Sequence, residues 1–437
     1  MTAPELRRSI GIVPATAMVV GTIIGASIFV QPSVMSAQLA SEGAVLGAWI
    51  AAGALTLIGV LVTAELASAF PRTGGVYVFL TESFGPLAGF LWGWAMLWVM
   101  HAGIVAAIAV GCARYVGHLV PLTDDGGRAV AIAAIVALSA VNYLGVRAGS
   151  GLMTALTILK VAAVVGLVAL LFAAPGAAPA DAAASASPPL GGLLLAVGAG
   201  LFAFGGWHMV TYAAGETVAA QRTIPRALVL GTLLVTACYL ALNAAYFHVL
   251  PQQLIAASRS VAADAVAAAA GPGAGGVVAG IVVVSTLGAL NGVVLAGPRV
   301  YLAMAQERRL PAPLGAVHQR FRTPHVAIAV QALWASLLVL TGSYEALFGR
   351  VIYTEWLFFA AMAIGLLRLR AVPGYAPGWR LPFALPLTLL FAAAALAVAV
   401  THIATRPLDS AAGLAIVLTG FPAYFLWARH ARRSERR

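Results

Sequence analysis

The amino-acid sequence predicts an all-α membrane protein, a bundle of about twelve transmembrane helices. Hydrophobic residues fill 62% of the 437 positions, and charged residues fill only 9%. A soluble domain carries roughly 25% charged residues, so this chain has too few to cover a surface that faces water. Apolar stretches of about 20 residues, the length that crosses a bilayer as a helix, recur along the chain.

The individual spans follow from where these apolar stretches begin and end. The first stretch comes directly after Arg7 and Arg8, as in a secretion signal, but no small-residue cleavage site closes it. We therefore interpret it as a retained helix. The predicted spans are residues 10–30, 43–70, 86–118, 128–145, 152–173, 190–218, 225–249, 276–306, 326–342, 347–369, 381–403 and 411–428.

The distribution of basic residues predicts the orientation of the bundle. The net charge is +11, nearly all of the basic residues are arginines, and they lie between the apolar stretches rather than in a cluster that would suit nucleic acid. With the N-terminus inside, most arginines fall in inner loops and tails, as the positive-inside rule requires. We therefore expect an even number of spans in the inner membrane, both termini in the cytoplasm, and no nucleic-acid partner. The outer loops and outer helix ends hold only Arg114, Arg128, Arg259, Arg350 and Arg406.

Two outer segments differ from the shorter connections elsewhere. Residues 174–189 are a low-complexity run of Ala, Ser and Pro, which predicts an outer loop. Residues 250–275 form a longer, Ala-rich stretch. We expect that stretch to hold short helices lying over the entrance to the bundle.

Several chemistries have no support in the sequence. Cys112 and Cys238 both lie within apolar stretches, so no disulfide framework is predicted. The chain has no GxxxxGK-S/T nucleotide loop, no HExxH, and no paired-cysteine metal spacing. No spacing suggests a Ser/His/Asp arrangement. We expect neither an enzyme nor a metal or cofactor site.

Two of the predicted spans contain a glycine-rich run that favours a break in the helix. The runs are GTIIGASIF at residues 21–29 in the first span and GAGLFAFGGW at residues 198–207 in the sixth. A continuous helix is the rule in lipid, because an unpaired backbone group is costly there. Taken singly, the GxxxG pattern of Gly21 and Gly25 and the Gly205–Gly206 pair are explained as well by close helix packing.

The positions of the two runs favour a binding site over packing. In a chain of five helices followed by an inverted repeat of five, the first and sixth helices are equivalent, and interrupted helices at equivalent places mark a transporter's binding site. A break exposes N–H groups where one half-helix starts and carbonyls where the other ends. The first group suits an anion and the second a cation. The sequence therefore predicts a site for a small zwitterion.

Motifs in a specific order and spacing extend this interpretation to nearly the whole chain. They are GTIIGASIF, ELASAFPRTGGVYVFL at 65–80, NYLGVR at 142–147, GLFAFGGW at 200–207 and QERRLP at 306–311. By these motifs the chain resembles the amino acid–polyamine–organocation superfamily, and within it the bacterial members of the L-amino acid transporter branch. It differs from the usual first-helix motif at Ser27, where relatives have Gly.

The resemblance implies a single transporter domain with a site at mid-depth and alternating access. Two inverted repeats would cover residues 10–173 and 190–369, and two extra helices would cover 381–428. Backbone N–H groups of the first-span run would bind the substrate carboxylate, and carbonyls of the sixth-span run would bind the amino group. Phe202 would be an outer aromatic gate, and Trp356 would line the side-chain end of the pocket. The implied substrate-binding residues are Ile23, Gly25, Ala26, Ser27, Ile28, Phe202, Ala203, Phe204, Gly205 and Trp356.

Lys160 is the only lysine in the chain, and it lies inside the apolar fifth span. A charge is expensive at that depth, so a snorkelling lysine is the alternative to a functional one. The resemblance implies that its ammonium lies near the site that sodium fills in sodium-coupled relatives. We therefore predict sodium-independent transport, with Lys160 as a fixed or titrating cation and Ser285 and Thr286 as its partners.

Three further polar residues are candidates for gating or specificity. Glu216 is expected to bridge to Arg72 or Arg299 at an inner gate, with a solvated helix end as the alternative. For Glu355 three roles remain: a carboxylate that takes up a proton, a binding group for a cationic part of the substrate, or a partner in a structural hydrogen bond. For His208 we favour a packed, hydrogen-bonded histidine over a proton carrier.

These observations together predict a secondary transporter of small neutral L-amino acids, acting by exchange or uptake. The alternatives are a carrier of cationic amino acids or polyamines and a proton-coupled symporter. An ion channel is disfavoured, because no filter or ring of pore charges is visible. The expected partners are the amino acid and the lipid bilayer. Because the loop at 119–127 lacks the cysteine of eukaryotic relatives, we expect no disulfide-linked heavy subunit, and a monomer or weak homo-oligomer.

Overall fold

The structure is a computed structural model that describes residues 6–176, 190–271, 273, 275–342 and 344–434. Within those residues, nine helices are long and apolar enough to cross a membrane, and one bent pair of helices makes a tenth span. Two more helices match the remaining predicted spans, His325–Thr341 and Tyr344–Arg370. The predicted all-α fold is confirmed. Most of the outer loop predicted at 174–189 lies outside the described residues.

The twelve spans are described in chain order, and the first and sixth each consist of two parts. The bounds of the twelve are Ile12–Ile23 with Ser27–Gln38, Glu42–Ala69, Pro86–Gly117, Asp124–Tyr143, Val146–Ala173, Leu190–Ala203 with Trp207–Glu216, Ala220–Val249, Gly275–Gln306, His325–Thr341, Tyr344–Arg370, Ala384–Thr405 and Pro407–Trp427. A short helix, Val76–Phe84, precedes the third span.

The first span is interrupted at the predicted place. Its halves, Ile12–Ile23 and Ser27–Gln38, are bent by 46° relative to each other. Ile24 has φ −74° and ψ 93°, an extended conformation that ends the helical hydrogen-bond ladder. The second half then continues eight residues beyond the predicted end at Val30, because Gln31, Ser33 and Ser36 end the apolar run without ending the helix.

The sixth span is interrupted as well. A turn at residues 204–206 separates the helix Leu190–Ala203 from a 3₁₀ helix, Trp207–Glu216. Gly206 has φ 98°, a left-handed conformation that only glycine adopts at little cost. A Cβ at Gly206 would also lie 3.1 Å from the Thr22 carbonyl oxygen. The break therefore needs glycine both for its backbone angle and for its close approach to the first span.

The two glycines of the GxxxG pattern serve different purposes. A Cβ added at Gly21 would lie 2.2 Å from Met153 Cε, so Gly21 is needed for close packing on the fifth span. A Cβ added at Gly25 would meet Ala289 at 3.8 Å, an ordinary contact. Close packing therefore explains the glycine at position 21. It does not explain Gly25, which lies in the break between the two half-helices.

The beginning and the end of the described chain lie on the same face of the bundle, which we call the N-terminal face. Ile10 pairs with Thr217 just beyond the sixth span, and Trp427 donates a hydrogen bond to the Arg308 carbonyl just beyond the eighth. The expected short helices in the stretch 250–275 are present as Gln252–Ala257 and Val261–Ala270. They pack on the second half of the first span, at the opposite face.

Candidate functional site

The two breaks face each other across a cavity of about 260 Å³. The third, eighth and tenth spans complete its wall. All of the predicted substrate-binding residues except Ile28 and Phe204 contribute to the wall. Most of the lining is apolar, and Glu355 is the only ionisable side chain among the described residues that form it.

The first-span break presents N–H groups to the cavity. Its second half-helix begins at Ser27, and the first N–H groups of a helix have no partner within the helix. The aligned peptide dipoles place partial positive charge at the same point. Gly25, Ala26 and Ser27 all line the cavity. This end of the break is therefore suited to an anionic group.

Ile28 points away from the cavity. It is 1% exposed and belongs to the hydrophobic core. Ile28 therefore does not line the pocket as predicted, because the bend in the first span turns the residue after Ser27 into the bundle. Its backbone N–H still belongs to the first turn of the half-helix.

The sixth-span break supplies carbonyl groups. Phe202, Ala203 and Gly205 are the residues whose carbonyls were predicted to bind the amino group, and all three line the cavity. The Ala203 carbonyl already accepts a hydrogen bond from the Tyr239 hydroxyl at 3.1 Å. That hydroxyl also lies 3.2 Å from the Ile23 carbonyl oxygen. Tyr239, a seventh-span residue with no motif to mark it, thus ties the two breaks together.

Phe202 and Phe204 have opposite surroundings. Phe202 is 43% exposed and lines both the cavity and a neighbouring apolar groove along the tenth and eleventh spans. Phe204 is fully buried outside the cavity, with its ring 5.1 Å from that of Tyr239 and 6.3 Å from that of Trp49. The prediction that Phe204 contacts the substrate is therefore not supported by its placement. The tight turn at the break directs the two side chains to different sides.

Lys160 reaches the first-span break from the fifth span. Its ammonium donates to the carbonyls of Gly21 at 3.0 Å, Ile24 at 2.7 Å and Ser285 at 2.9 Å. The side chain is completely buried, so the snorkelling alternative does not describe it. A Cβ at Gly288 would lie 2.8 Å from its Nζ, so this eighth-span glycine provides the room for the ammonium.

The two predicted partners of Lys160 behave differently. Ser285 contacts the lysine through its carbonyl, while its hydroxyl donates to the Ile24 carbonyl at 3.1 Å and lies 3.2 Å from that of Gly25. The Thr286 hydroxyl instead donates to the Val282 carbonyl in its own helix at 2.8 Å, and Thr286 lines the cavity. A helix presents consecutive residues about 100° apart, so only one of the two faces the lysine.

His208 and Glu355 form a close pair at the edge of the cavity. His208 Nε2 lies 3.5 Å from Glu355 Oε1. Glu355 contributes to the cavity wall, whereas His208 lies behind it with no exposed surface. Neither ring nitrogen of His208 has a hydrogen-bond partner among the described residues. The hydrogen-bonded histidine favoured from the sequence is therefore corrected to a packed histidine without a hydrogen bond, whose Nε2 lies close to the Glu355 carboxyl group.

The half of the bundle between the breaks and the N-terminal face is closed. Glu216 and Arg299 form an ion pair with no exposed surface, with nitrogen–oxygen distances of 2.5 and 3.0 Å. This is one of the two predicted bridges of Glu216. The other does not form, since Arg72 pairs with Glu82. A buried ion pair survives only with good geometry and added hydrogen bonds, and Arg299 also donates to the Leu295 carbonyl.

Backbone hydrogen bonds from the start of the chain close the same region. The N–H groups of Ser9 and Ile10 both donate to the Glu216 carbonyl, at 2.8 and 3.0 Å, and the Val218 N–H donates to the Ile10 carbonyl at 2.9 Å. Nearby, the Tyr77 hydroxyl donates to the Glu307 carboxylate at 2.6 Å. Burial and this hydrogen bond raise the pKa of Tyr77, so the hydroxyl keeps its proton.

A helical membrane protein with two interrupted helices facing across a mid-depth cavity has the architecture of a secondary transporter. A family model described as "Amino acid permease" matches residues 10–422. The chain therefore belongs to the amino acid permease family of the amino acid–polyamine–organocation superfamily. It is a multi-pass membrane transporter and not an enzyme.

Individual relatives are similar over almost the whole chain. The serine/threonine exchanger SteT of Bacillus subtilis is 29% identical over 433 residues, which cover 96% of this chain and 97% of that protein. Asc-type amino acid transporter 1 of Homo sapiens is 31% identical, over 96% of this chain and 82% of that protein. The human large neutral amino acids transporter small subunit 2 is 32% identical, over 96% of this chain and 80% of that protein.

Proposed function

We propose that this amino acid transporter is a sodium-independent exchanger or uptake carrier of small neutral L-amino acids. The observation that carries the proposal is the pair of breaks, with N–H groups on one side of a largely apolar cavity and carbonyls on the other. An amino acid presents a carboxylate and an ammonium to those two ends. The names of the relatives, an exchanger of serine and threonine among them, support the same substrate class.

In this proposal the substrate carboxylate binds at the start of the second half of the first span, with the backbone N–H groups from Gly25 to Ile28 and the Ser27 hydroxyl around it. Ile23 lines the cavity beside it. The ammonium binds at the carbonyls of Phe202, Ala203 and Gly205. The carbonyl of Ala203 has two lone pairs, so its hydrogen bond to Tyr239 leaves one acceptor site. Phe202 then covers the bound substrate as a gate, and Trp356 lines the side-chain end.

Sodium independence is supported by the three carbonyls around Lys160. Carbonyl oxygens are the ligands that a sodium ion would require, and here the ammonium occupies them at 2.7–3.0 Å. A second cation in the same place would be repelled by the first at short range. The lysine thus supplies the positive charge that stabilises the carbonyl ends of the broken helix.

Alternating access requires the closed half of the bundle to open. The Glu216–Arg299 pair and the backbone bonds of Ser9 and Ile10 close the N-terminal face, and these contacts would part when that face opens. We propose that the N-terminal face is cytoplasmic and the membrane the inner membrane, as the arginine distribution predicts. The two inverted repeats, residues 10–173 and 190–369, would move relative to each other around the site.

We further propose that the chain works without a disulfide-linked heavy subunit, as a monomer or weak homo-oligomer. Cys112 and Cys238 are both buried and free, so neither is available for a bond to a partner.

Glu355 supports a second candidate, a carrier of cationic amino acids or polyamines, because a carboxylate in the cavity wall would bind a second ammonium.

Counterflow in liposomes separates these candidates. The purified chain is reconstituted with one unlabelled amino acid inside, and uptake of labelled alanine, serine, leucine, arginine and putrescine is measured in sodium and in choline buffer. The proposal predicts saturable counterflow of alanine and serine at the same rate in both buffers. Counterflow of arginine or putrescine alone would replace the proposal by the second candidate, and a requirement for sodium would remove the role given to Lys160.

A further inference from the structure

His208 and Glu355 form an acid–base pair that has no part in the proposed binding of a zwitterion. The imidazole is completely buried, while 11% of the glutamate side chain is exposed. Because Glu355 belongs to the cavity wall, water in the cavity reaches the carboxyl group and not the imidazole. The pair therefore connects the aqueous cavity to a site inside the protein.

The surroundings of His208 leave its hydrogen-bonding atoms unused. Both ring nitrogens lack a hydrogen-bond partner among the described residues. Four aromatic rings enclose the imidazole at centroid distances of 4.9–6.1 Å, those of Trp92, Trp207, Tyr212 and Phe359. Buried polar atoms are nearly always paired, so the free ring nitrogens leave His208 able to accept a hydrogen bond from the carboxyl group beside it.

Charge balance favours a proton on the pair. His101 of the third span and Tyr212 of the sixth are the titratable groups that face it, and neither is a fixed cation. Within the described part of the chain, the basic side chain within 4 Å of the Glu355 carboxylate is His208, at 3.5 Å. An uncompensated carboxylate is expensive inside a membrane, and one proton on the pair removes that charge.

We propose that His208 and Glu355 form a proton-binding site, through which the transporter couples each substrate molecule to the movement of a proton. This inference rests on the proposed function. Cavity water protonates the Glu355 carboxylate, so one O–H bond forms there and one breaks in a hydronium ion. The reverse exchange releases the proton after the cavity has opened to the N-terminal face. His208 Nε2, 3.5 Å from Glu355 Oε1, accepts a hydrogen bond from the protonated carboxyl group when the cavity closes and brings the two together.

Lys160 and Glu355 have separate roles in this scheme. Lys160 is bonded to three carbonyls and lies behind the first-span break, so its charge stays in place during substrate binding. Glu355 lies in the wall that closes around the substrate. When the pair is neutral, the closed cavity contains the zwitterion and no unpaired carboxylate. The proton thus favours closure around the substrate.

Proton movement is measured in liposomes that contain the full-length chain and a pH-sensitive dye, with the membrane potential clamped by valinomycin and potassium. Serine is added outside at acidic pH. The expected result is internal acidification with serine entry, at about one proton per serine because the pair shares one exchangeable proton. Counterflow is measured on the same preparation. Counterflow without acidification would overturn this inference alone, whereas absence of counterflow would refute the proposed function.

The variants assign the proton to this pair. Glu355→Gln keeps the shape of the side chain but cannot titrate, so it should abolish serine-driven acidification and leave slower but measurable counterflow. Glu355→Asp should keep acidification with a shifted pH midpoint. Asp125→Asn, an exposed acid, is the control for reconstitution and should behave as the wild type. Undiminished acidification in Glu355→Gln, or an unshifted midpoint in Glu355→Asp, would assign the proton to another group and overturn the inference.

Discussion

The strongest single perturbation of the site is Lys160→Met, which removes the ammonium and keeps the length of the side chain. Three charge-assisted hydrogen bonds are lost, and each contributes roughly 1.5–3 kcal/mol. The lysine's own placement inside the membrane costs roughly 2.5–3.5 kcal/mol, and the substitution recovers that amount. The net loss is therefore about 1–6.5 kcal/mol, with a middle value of about 4 kcal/mol, by the same two principles.

This loss acts on substrate binding because two of the three bonds hold the broken part of the first span. A loss of about 4 kcal/mol corresponds to roughly a 700-fold fall in the population of the binding-competent break, since 1.4 kcal/mol is a factor of ten. Serine counterflow should therefore slow by at least tenfold at a fixed concentration, by this estimate. The matched control is Leu159→Met, the neighbouring residue, which is 52% exposed on the outside of the bundle. Counterflow by Lys160→Met within about twofold of the control would show that the hydrogen bonds of Lys160 do not hold the break in its binding-competent form.

Three further predictions concern the two breaks and the closed face. Gly206→Ala forces a side chain into a left-handed backbone next to the first span, so serine binding should weaken by about 5- to 150-fold, for a strain of about 1–3 kcal/mol, as measured by scintillation proximity. Gly288→Ala should impair counterflow by displacing the lysine ammonium, whereas Gly280→Ala in the same helix, which meets nothing within 4 Å, should not. Glu216→Gln leaves the buried Arg299 charge unpaired, a loss of roughly 3–5 kcal/mol, so thermal unfolding in detergent should begin at a distinctly lower temperature, and an unchanged midpoint would contradict this.

The fold could be predicted because the physical constraint behind it is simple. Helices that cross a bilayer need apolar length, and the apolar stretches of this chain supply it at each observed span. The boundaries could not be predicted to the residue, since a helix continues past its apolar part. The second half of the first span, which runs to Gln38, is the clearest case. Likewise, hydropathy gives no sign of the parallel pairing between Ile10 and Thr217.

The site was partly predictable for a different reason. Glycine runs mark where a helix can break, and a single lysine in an apolar span is conspicuous, so both breaks and Lys160 could be named. Side-chain directions at a break depend on the exact turn, and the placement of Phe204 outside the cavity follows from geometry that no motif encodes. Tyr239 and Gly288 had no signal, because a lone tyrosine or glycine in an apolar span is ordinary.

The central claim is that main-chain groups freed by two broken helices bind an amino acid between them. The most direct test is a structure of the chain in lipid nanodiscs with L-serine bound. The carboxylate of serine should lie within about 3 Å of the N–H groups that begin at Gly25, and its ammonium should lie at the same distance from carbonyls of Phe202 to Gly205. Serine bound elsewhere, or a first span that straightens into a continuous helix around it, would show that the groups freed by the two breaks do not bind the substrate.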